Sequence, residues 1–138
     1  MMGCQKTGQE RYTTDSPDID IIKSLISDYE SGNWDSWSSH YADSAKIFHN
    51  SLEGVTSKKL SENFKETLEN VSSYKFSHEE NEIFFEKILD DKGREWVYFW
   101  GTWMGTVADI NKEIKIPVHI AFEMAENKVV SEYAYYDS

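Results

Sequence analysis

The stretch from Ile19 to Asn50 constrains the fold more than any other part of the chain, because it describes two short helices separated by a glycine and followed by a strand. Gly32 stands where a helix C-terminus favours a positive φ, and Asn33 is suited to cap the next helix. Apolar side chains recur at helical spacing, first at Ile19, Ile22, Ile26 and Tyr29 and then at Trp34, Trp37 and Tyr41. The pattern predicts helices over residues 17–31 and 33–42 and a strand over residues 45–50.

A third amphipathic helix and four long strands are expected to follow. Thr56 or Ser57 can cap the helix, whose apolar stripe is Leu60, Phe64, Leu68 and Val71. Extended segments are predicted over residues 74–89, 95–107, 113–125 and 129–136, with hairpin turns at 90–93 and 109–112. The order predicts an α+β fold, with three N-terminal helices packed on a curved, mainly antiparallel sheet and no strand before Ile19.

The long strands contain residues that indicate local irregularity. Gly101 and Gly105 predict bulges or kinks in the second long strand, and Pro117 predicts an edge or irregular position in the third. We expect residues 16–138 to form one domain. Residues 1–15 have no apolar periodicity and are expected to form a flexible polar leader.

Composition excludes several classes of partner. The formal net charge of −11 argues against binding to nucleic acid or to an anionic membrane, because both require a basic surface. No apolar run approaches the ~20 residues that span a bilayer. Aromatic residues make up 14% of the chain and suit either a packed core or the walls of an apolar pocket.

Cys4 is the only cysteine, so a disulfide within the chain is impossible. Gly3 before Cys4, with a polar stretch after it, looks like the end of a bacterial lipoprotein signal, although no charged or apolar signal region precedes it here. In one interpretation Cys4 carries a lipid that anchors the protein in the cell envelope. In the other, Cys4 lies in an unstructured tail and the protein is cytoplasmic.

Two segments resemble a known superfamily. The start of the domain resembles that of the SnoaL-like branch of the NTF2-like superfamily: a helix, a short break, a second helix, the sequence YADSA and then a strand. The segment ENKVVSEYAYYD looks like the closing hairpin and strand of the same branch. The resemblance covers nearly all of the chain after Ser16 and implies a cone-shaped α+β domain. Such domains include ketosteroid isomerases, polyketide cyclases, epoxide hydrolases and pocket proteins without an assigned activity.

The resemblance also identifies candidate catalytic positions. The tyrosine donor of ketosteroid isomerases corresponds to Leu25 here, the base to His49, and the aspartate donor to a position near Ile120. The acidic residue of SnoaL-type cyclases is absent, as is an Asp-Arg-Asp set for an epoxide hydrolase. His49 is therefore the one candidate general base, with a pocket-lining or hydrogen-bonded histidine as the alternative.

Three functions remain open. The missing carboxylates favour a binding module, without cofactor, for a small hydrophobic ligand, over an isomerase, cyclase or hydratase that uses His49. An envelope-tethered interaction protein is the third, supported only by Cys4 and the polar leader. The expected pocket walls are Leu25, Trp37, Tyr41, Phe48, His49, Trp103, Ile120 and Tyr136.

Two further patterns concern partners and metals. The strand over residues 95–107 carries large apolar side chains on both faces, which predicts a homodimer through the outer face of the sheet or, alternatively, a central strand covered by helices in a monomer. His78, Glu80 and Glu82 alternate along one predicted strand and could bind a divalent metal. Solvent-exposed alternation explains the same three residues better, so no metal site is expected.

Overall fold

A computed structural model describes residues 11–137 as three helices on one seven-stranded sheet. The helices are α1 (Pro17–Ser31), α2 (Trp34–Ser39) and α3 (Ser57–Leu68). The strands are β1 (Tyr12–Thr13), β2 (Tyr41–His49), β3 (Val71–Phe76), β4 (Ile83–Leu89), β5 (Glu95–Val107), β6 (Lys112–Ala125) and β7 (Lys128–Tyr136). The predicted α+β class, with three helices on a mainly antiparallel sheet, is confirmed.

The helix ends follow the capping signals with one exception. The Ser16 hydroxyl accepts from the backbone N–H of Ile19, and Thr56 caps α3 in the same way through Lys59. Gly32 ends α1 in the left-handed conformation, with φ of 68°. The expectation that the Asn33 side chain caps α2 is wrong, because only its backbone carbonyl bonds into the helix.

The strands lie in the order β1-β4-β5-β6-β7-β2, and β3 pairs with β5. Only the β2–β7 pair is parallel among the described strands. The single strand predicted over residues 74–89 is wrong, because β4 pairs with the first half of the 13-residue β5 and β3 with its second half. His78, Glu80 and Glu82 consequently lie between two strands and do not share a strand face.

The expectation of no strand before Ile19 is also wrong. Tyr12 pairs with Ile88 and Thr13 with Lys87, so β1 extends the antiparallel edge beyond β4. The carbonyl of Arg11 accepts from the N–H of Leu89. This two-residue strand has no apolar alternation, which is why the sequence pattern did not reveal it. Residues 1–10, including Cys4, lie outside the described part of the chain.

The strand glycines have a different role from the predicted one. Pairing between β5 and β6 continues through Gly101 and Gly105 without a shift of register, so neither is a bulge. A Cβ at Gly101 would overlap the ring of Phe99, and one at Gly105 would overlap the ring of Trp103. Each glycine therefore leaves room for an inward-facing aromatic ring two residues earlier on the same strand. Pro117 does occupy an edge position, one residue beyond the end of the β6–β7 pairing.

The three helices cover one face of the sheet, and the core lies between the helices and that face. Ile19 and Ile22 from α1 and Val97, Phe99 and Phe122 from the sheet are almost fully buried. The opposite, outer face carries aromatic side chains that are half exposed, including Phe84 and Tyr135. No helix within residues 11–137 is long and apolar enough to cross a membrane.

Candidate ligand-binding site

An apolar cavity of about 440 Å³ opens between the helices and the inner face of the sheet. Its volume falls within the usual range of small-molecule sites. Thr67 of α3 and Asp137 after β7 are exposed and mark the mouth. The wall is mainly aromatic and aliphatic: Leu25, Ile26, Tyr29, Trp37, Tyr41, His49, Phe64, Thr67, Leu68, Phe76, Trp103, Ile116, Val118, Ile120, Phe122, Glu132, Tyr136 and Asp137.

The structure brings together all but one of the residues expected in the pocket wall. The exception is Phe48, which stacks on Tyr133 with ring centroids 4.9 Å apart and an interplanar angle of 6°. Ile47 and His49 point inward, and side chains alternate along a strand, so Phe48 must point to the outer face. Its assignment to the wall is therefore corrected.

The parallel pairing of β2 with β7 places His49 between two polar residues. His49 lies opposite Ala134, and Glu132 and Tyr136 flank Ala134 on the same face of β7. The His49 Nε2 atom is 2.6 Å from the Glu132 carboxylate, and its Nδ1 atom is 3.1 Å from the Tyr136 hydroxyl. The small side chain of Ala134 leaves room for the imidazole between them.

Glu132 is a buried carboxylate with two donors. Its relative exposure is 2%, and its second oxygen accepts a hydrogen bond of 2.5 Å from the Tyr41 hydroxyl. A buried charge costs several kcal/mol unless such partners compensate it. One continuous set of hydrogen bonds, here called the polar chain, thus joins Tyr41, Glu132, His49 and Tyr136.

The direction of each hydrogen bond follows from the chemistry of the partners. An ionised carboxylate only accepts, so Nε2 of His49 carries the proton toward Glu132. In a neutral imidazole Nδ1 is then an acceptor, and the Tyr136 hydroxyl donates to it. Burial and the nearby Glu132 charge raise the pKa of both Tyr41 and Tyr136, so both phenols keep their protons at neutral pH.

A second polar group lies at the wall formed by α1. The Trp103 Nε1–H donates to the Tyr29 hydroxyl oxygen over 3.0 Å. Burial raises the pKa of Tyr29, the hydrogen bond from Trp103 opposes that rise, and the phenols of Tyr74 and Tyr136 add to it. Within residues 11–137, no protein acceptor receives the Tyr29 hydroxyl proton. The Phe64 ring separates this group from the polar chain, contacting both Tyr29 and His49.

Sequence reasoning missed Glu132 and Tyr29 as site residues. Glu132 lies between Ser131 and Tyr133 in a segment of mixed polarity, and only the parallel partner strand shows that it points inward. The sequence pattern places Tyr29 only on the apolar face of the first helix, one turn after Leu25. The available signal was its place on the apolar stripe of α1, which faces the sheet.

Other candidate groups lie outside the cavity. Burial lowers the pKa of His119, whose ring stacks on Trp100 at 3.9 Å on the outer face. His40 bonds to Asp28, which joins α2 to α1. Within the described residues, no three His, Cys, Asp or Glu side chains are grouped so that they could hold a metal ion.

Comparison with known proteins identifies relatives by fold alone. No protein-family model matches the chain, and no curated protein matches it in sequence. Among solved structures, PrhC from Penicillium brasilianum is 14% identical with a TM-score of 0.71, covering 91% of this chain and 83% of PrhC. A putative SnoaL-like polyketide cyclase from Jannaschia sp. CCS1 is 13% identical with a TM-score of 0.69, covering 94% and 92%.

An epoxide hydrolase of M. tuberculosis described as LEH-like is also similar, with 11% identity and a TM-score of 0.64 over 88% of this chain and 83% of the hydrolase. Identities this low carry no information about substrate or catalytic residues. The fold resemblance extends across most of both chains in each case. The chain therefore has the α+β cone fold of the SnoaL-like and NTF2-like proteins.

Proposed function

We propose that the protein binds a small, neutral, mainly apolar molecule in the cavity of the cone. One observation carries this proposal: an aromatic cavity of about 440 Å³ in which Tyr41, Glu132, His49 and Tyr136 already bond to one another and the Trp103 indole bonds to Tyr29. A ligand in such a cavity is bound mainly because apolar surface is removed from water, which contributes about 25 cal/mol of favourable free energy per Å² buried.

The charge of the site supports a neutral ligand. No lysine or arginine lines the cavity within residues 11–137, while Glu132 and Asp137 are both part of the wall. An anionic ligand would be repelled by these carboxylates and by the net charge of −11. A cationic ligand would have to compete with Tyr41 and His49 for Glu132, whose oxygens they already occupy.

A matched pair of variants tests the proposal. Indane, a bicyclic hydrocarbon, is titrated into the protein and amide NMR shifts are recorded. Ile116 lines the cavity and Ile110 is 65% exposed in the β5–β6 turn, so Ile116→Trp should abolish binding while Ile110→Trp should leave it unchanged. Equal affinity in both variants, or no binding to the wild type, would contradict the proposal.

A second candidate is acid–base catalysis that uses His49, favoured by the contact between His49 and the buried Glu132. A proton leaving the ligand would pass to the Tyr136 oxygen as the Tyr136 proton moves to His49 Nδ1. The Glu132 carboxylate would stabilise the imidazolium so formed. His49 has no free nitrogen in this arrangement, so its action on a ligand requires Tyr136.

Deuterium incorporation next to the carbonyl of indanone in D₂O distinguishes the two candidates. For a binding protein we expect no incorporation above the buffer rate and no steroid-type double-bond isomerisation, with His49→Ala changing ligand affinity more than turnover. Incorporation that is lost in both His49→Ala and Glu132→Gln would establish the catalytic alternative.

We also propose that a second copy of the chain covers the outer face. A row of four stacked rings crosses four adjacent strands: Phe84, Trp100, His119 and Tyr135. All of them except His119 are at least 39% exposed. The Glu86 carboxylate within this face accepts from the Trp100 indole and the Tyr12 hydroxyl, so its charge is partly compensated. A second copy seated on this row would bury aromatic surface that a single chain leaves exposed.

A further inference from the structure

We infer that two of the three phenols in the cavity wall, Tyr29 and Tyr136, have opposite hydrogen-bonding polarity, so that Tyr29 donates to a carbonyl-type oxygen of the ligand while Tyr136 accepts from a hydroxyl or N–H group. This inference rests on the proposed ligand-binding function. It adds a chemical class: an apolar molecule that carries both an acceptor and a donor.

The polarity of Tyr136 is determined by the polar chain. When His49 is neutral, the Glu132 carboxylate holds its one ring proton on Nε2, which leaves Nδ1 as an acceptor for the Tyr136 proton. The Tyr136 oxygen then presents only lone pairs to the cavity. Glu132 is thus a positioning residue, because it determines through His49 which type of hydrogen bond Tyr136 can offer.

The polarity of Tyr29 is set in the opposite sense by Trp103. An indole N–H is a donor only, so the Tyr29 oxygen accepts from it and the Tyr29 proton remains to be donated. The rings of Trp34 and Phe64 contact Tyr29 at 5.9 and 5.2 Å and carry no acceptor. The Tyr74 ring is 5.3 Å away, but its hydroxyl bonds to the backbone carbonyl of Tyr29 and not to the Tyr29 hydroxyl. A buried donor without an acceptor is costly, and a ligand oxygen in the cavity would remove that cost.

The two hydroxyls belong to one site. Both Tyr29 and Tyr136 line the same cavity, and the Tyr136 phenol is near enough to contribute to the raised pKa of Tyr29. The apolar wall between them includes Phe64 and Ile120. Hydroxyketones, and aromatic amides that carry an N–H group, are examples of the class that matches this arrangement.

The test uses three bicyclic probes of similar size: indane has no polar group, indanone only accepts and indole only donates. Their affinities are measured by NMR titration for the wild type, Tyr29→Phe and Tyr136→Phe. Tyr74→Phe is the control for packing, because the Tyr74 hydroxyl bonds to the backbone carbonyl of Tyr29 and does not line the cavity. Thermal melts confirm that each variant is folded.

In the wild type we expect indanone and indole to bind more tightly than indane, by about three- to tenfold. Tyr29→Phe should remove the advantage of indanone alone, and Tyr136→Phe that of indole alone. Equal binding of all three probes to the wild type, or loss of the indanone advantage in Tyr136→Phe, would overturn the inference and leave the proposed cavity function standing. If none of the probes binds, the proposed function and the inference both fail.

Discussion

Glu132 shows how a single residue can determine the chemistry of a cavity that is otherwise apolar. Its carboxylate is buried in the cavity wall, and its two hydrogen bonds join strand β2 to strand β7 at both ends of β2, through Tyr41 and His49. Neither donor has another described partner for the same proton. The folded state therefore depends on this carboxylate as well as on the apolar core.

Replacing Glu132 by glutamine should lower the free energy of unfolding by about 2 kcal/mol, because Tyr41 and His49 donate to different carboxylate oxygens and one of these would become an NH₂ group that cannot accept. Urea denaturation at neutral pH measures the change. Glu123→Gln is the matched control: Glu123 accepts from Ser131 and is only partly buried, so we expect a change within about 0.5 kcal/mol. An equal effect of both substitutions would show that Glu132 has no special role.

Buried tyrosines should make the fold sensitive to alkaline pH. The pKa values of Tyr29 and Tyr41 are raised above the ordinary value of 10.0, chiefly by burial. A group with a raised pKa in the folded state stabilises fully below its unfolded pKa and loses that contribution as pH rises. Stability should fall above pH 10, by roughly 3 kcal/mol per pH unit for these two residues.

Urea midpoints recorded from pH 8 to 11 measure this dependence. Tyr29→Phe should make the decline shallower by about 1.4 kcal/mol per pH unit, the contribution of one proton. The same steep decline in wild type and variant would mean that Tyr29 does not keep its proton in the folded state.

At the scale of elements, local signals determined the helices and the meander but not the strand pairing. The cap at Ser16, Gly32 and the turn at residues 90–93 were readable because each depends on a few consecutive residues. The parallel β2–β7 pair joins segments more than 80 residues apart, and no local pattern specifies its register. The site consequently could be predicted as a set of wall residues, while the contact between His49 and Glu132 could not.

Gly105 offers a test of how strand β5 accommodates its aromatic residues. A methyl group at this position would overlap the Trp103 ring, so Gly105→Ala should displace that ring and cost about 1–3 kcal/mol. Thermal unfolding gives the stability, and the NMR shift of the Trp103 indole N–H reports on its bond to Tyr29. Ser72→Ala on the exposed side of β3 is the control. No change in either measurement would contradict the packing argument.

For the whole molecule, the outer face of the sheet predicts a dimer. Light scattering at low micromolar concentration should give about twice the chain mass of 16.1 kDa. Trp100→Asp places a charge within the aromatic row and should give a monomer, whereas Ile110→Asp in the exposed β5–β6 turn should not. A monomer mass for the wild type would refute the proposed dimer.

The location of a bound apolar ligand tests the central claim most directly, because the protein has two apolar surfaces that could bind such a ligand: the cavity and the outer face of the sheet. Intermolecular NOEs are recorded between indane and the protein. The cavity predicts contacts to the methyl groups of Leu25, Ile116 and Val118, which line its wall. Contacts confined to the outer row of Phe84, Trp100 and Tyr135, or no contacts under saturating indane, would contradict the account.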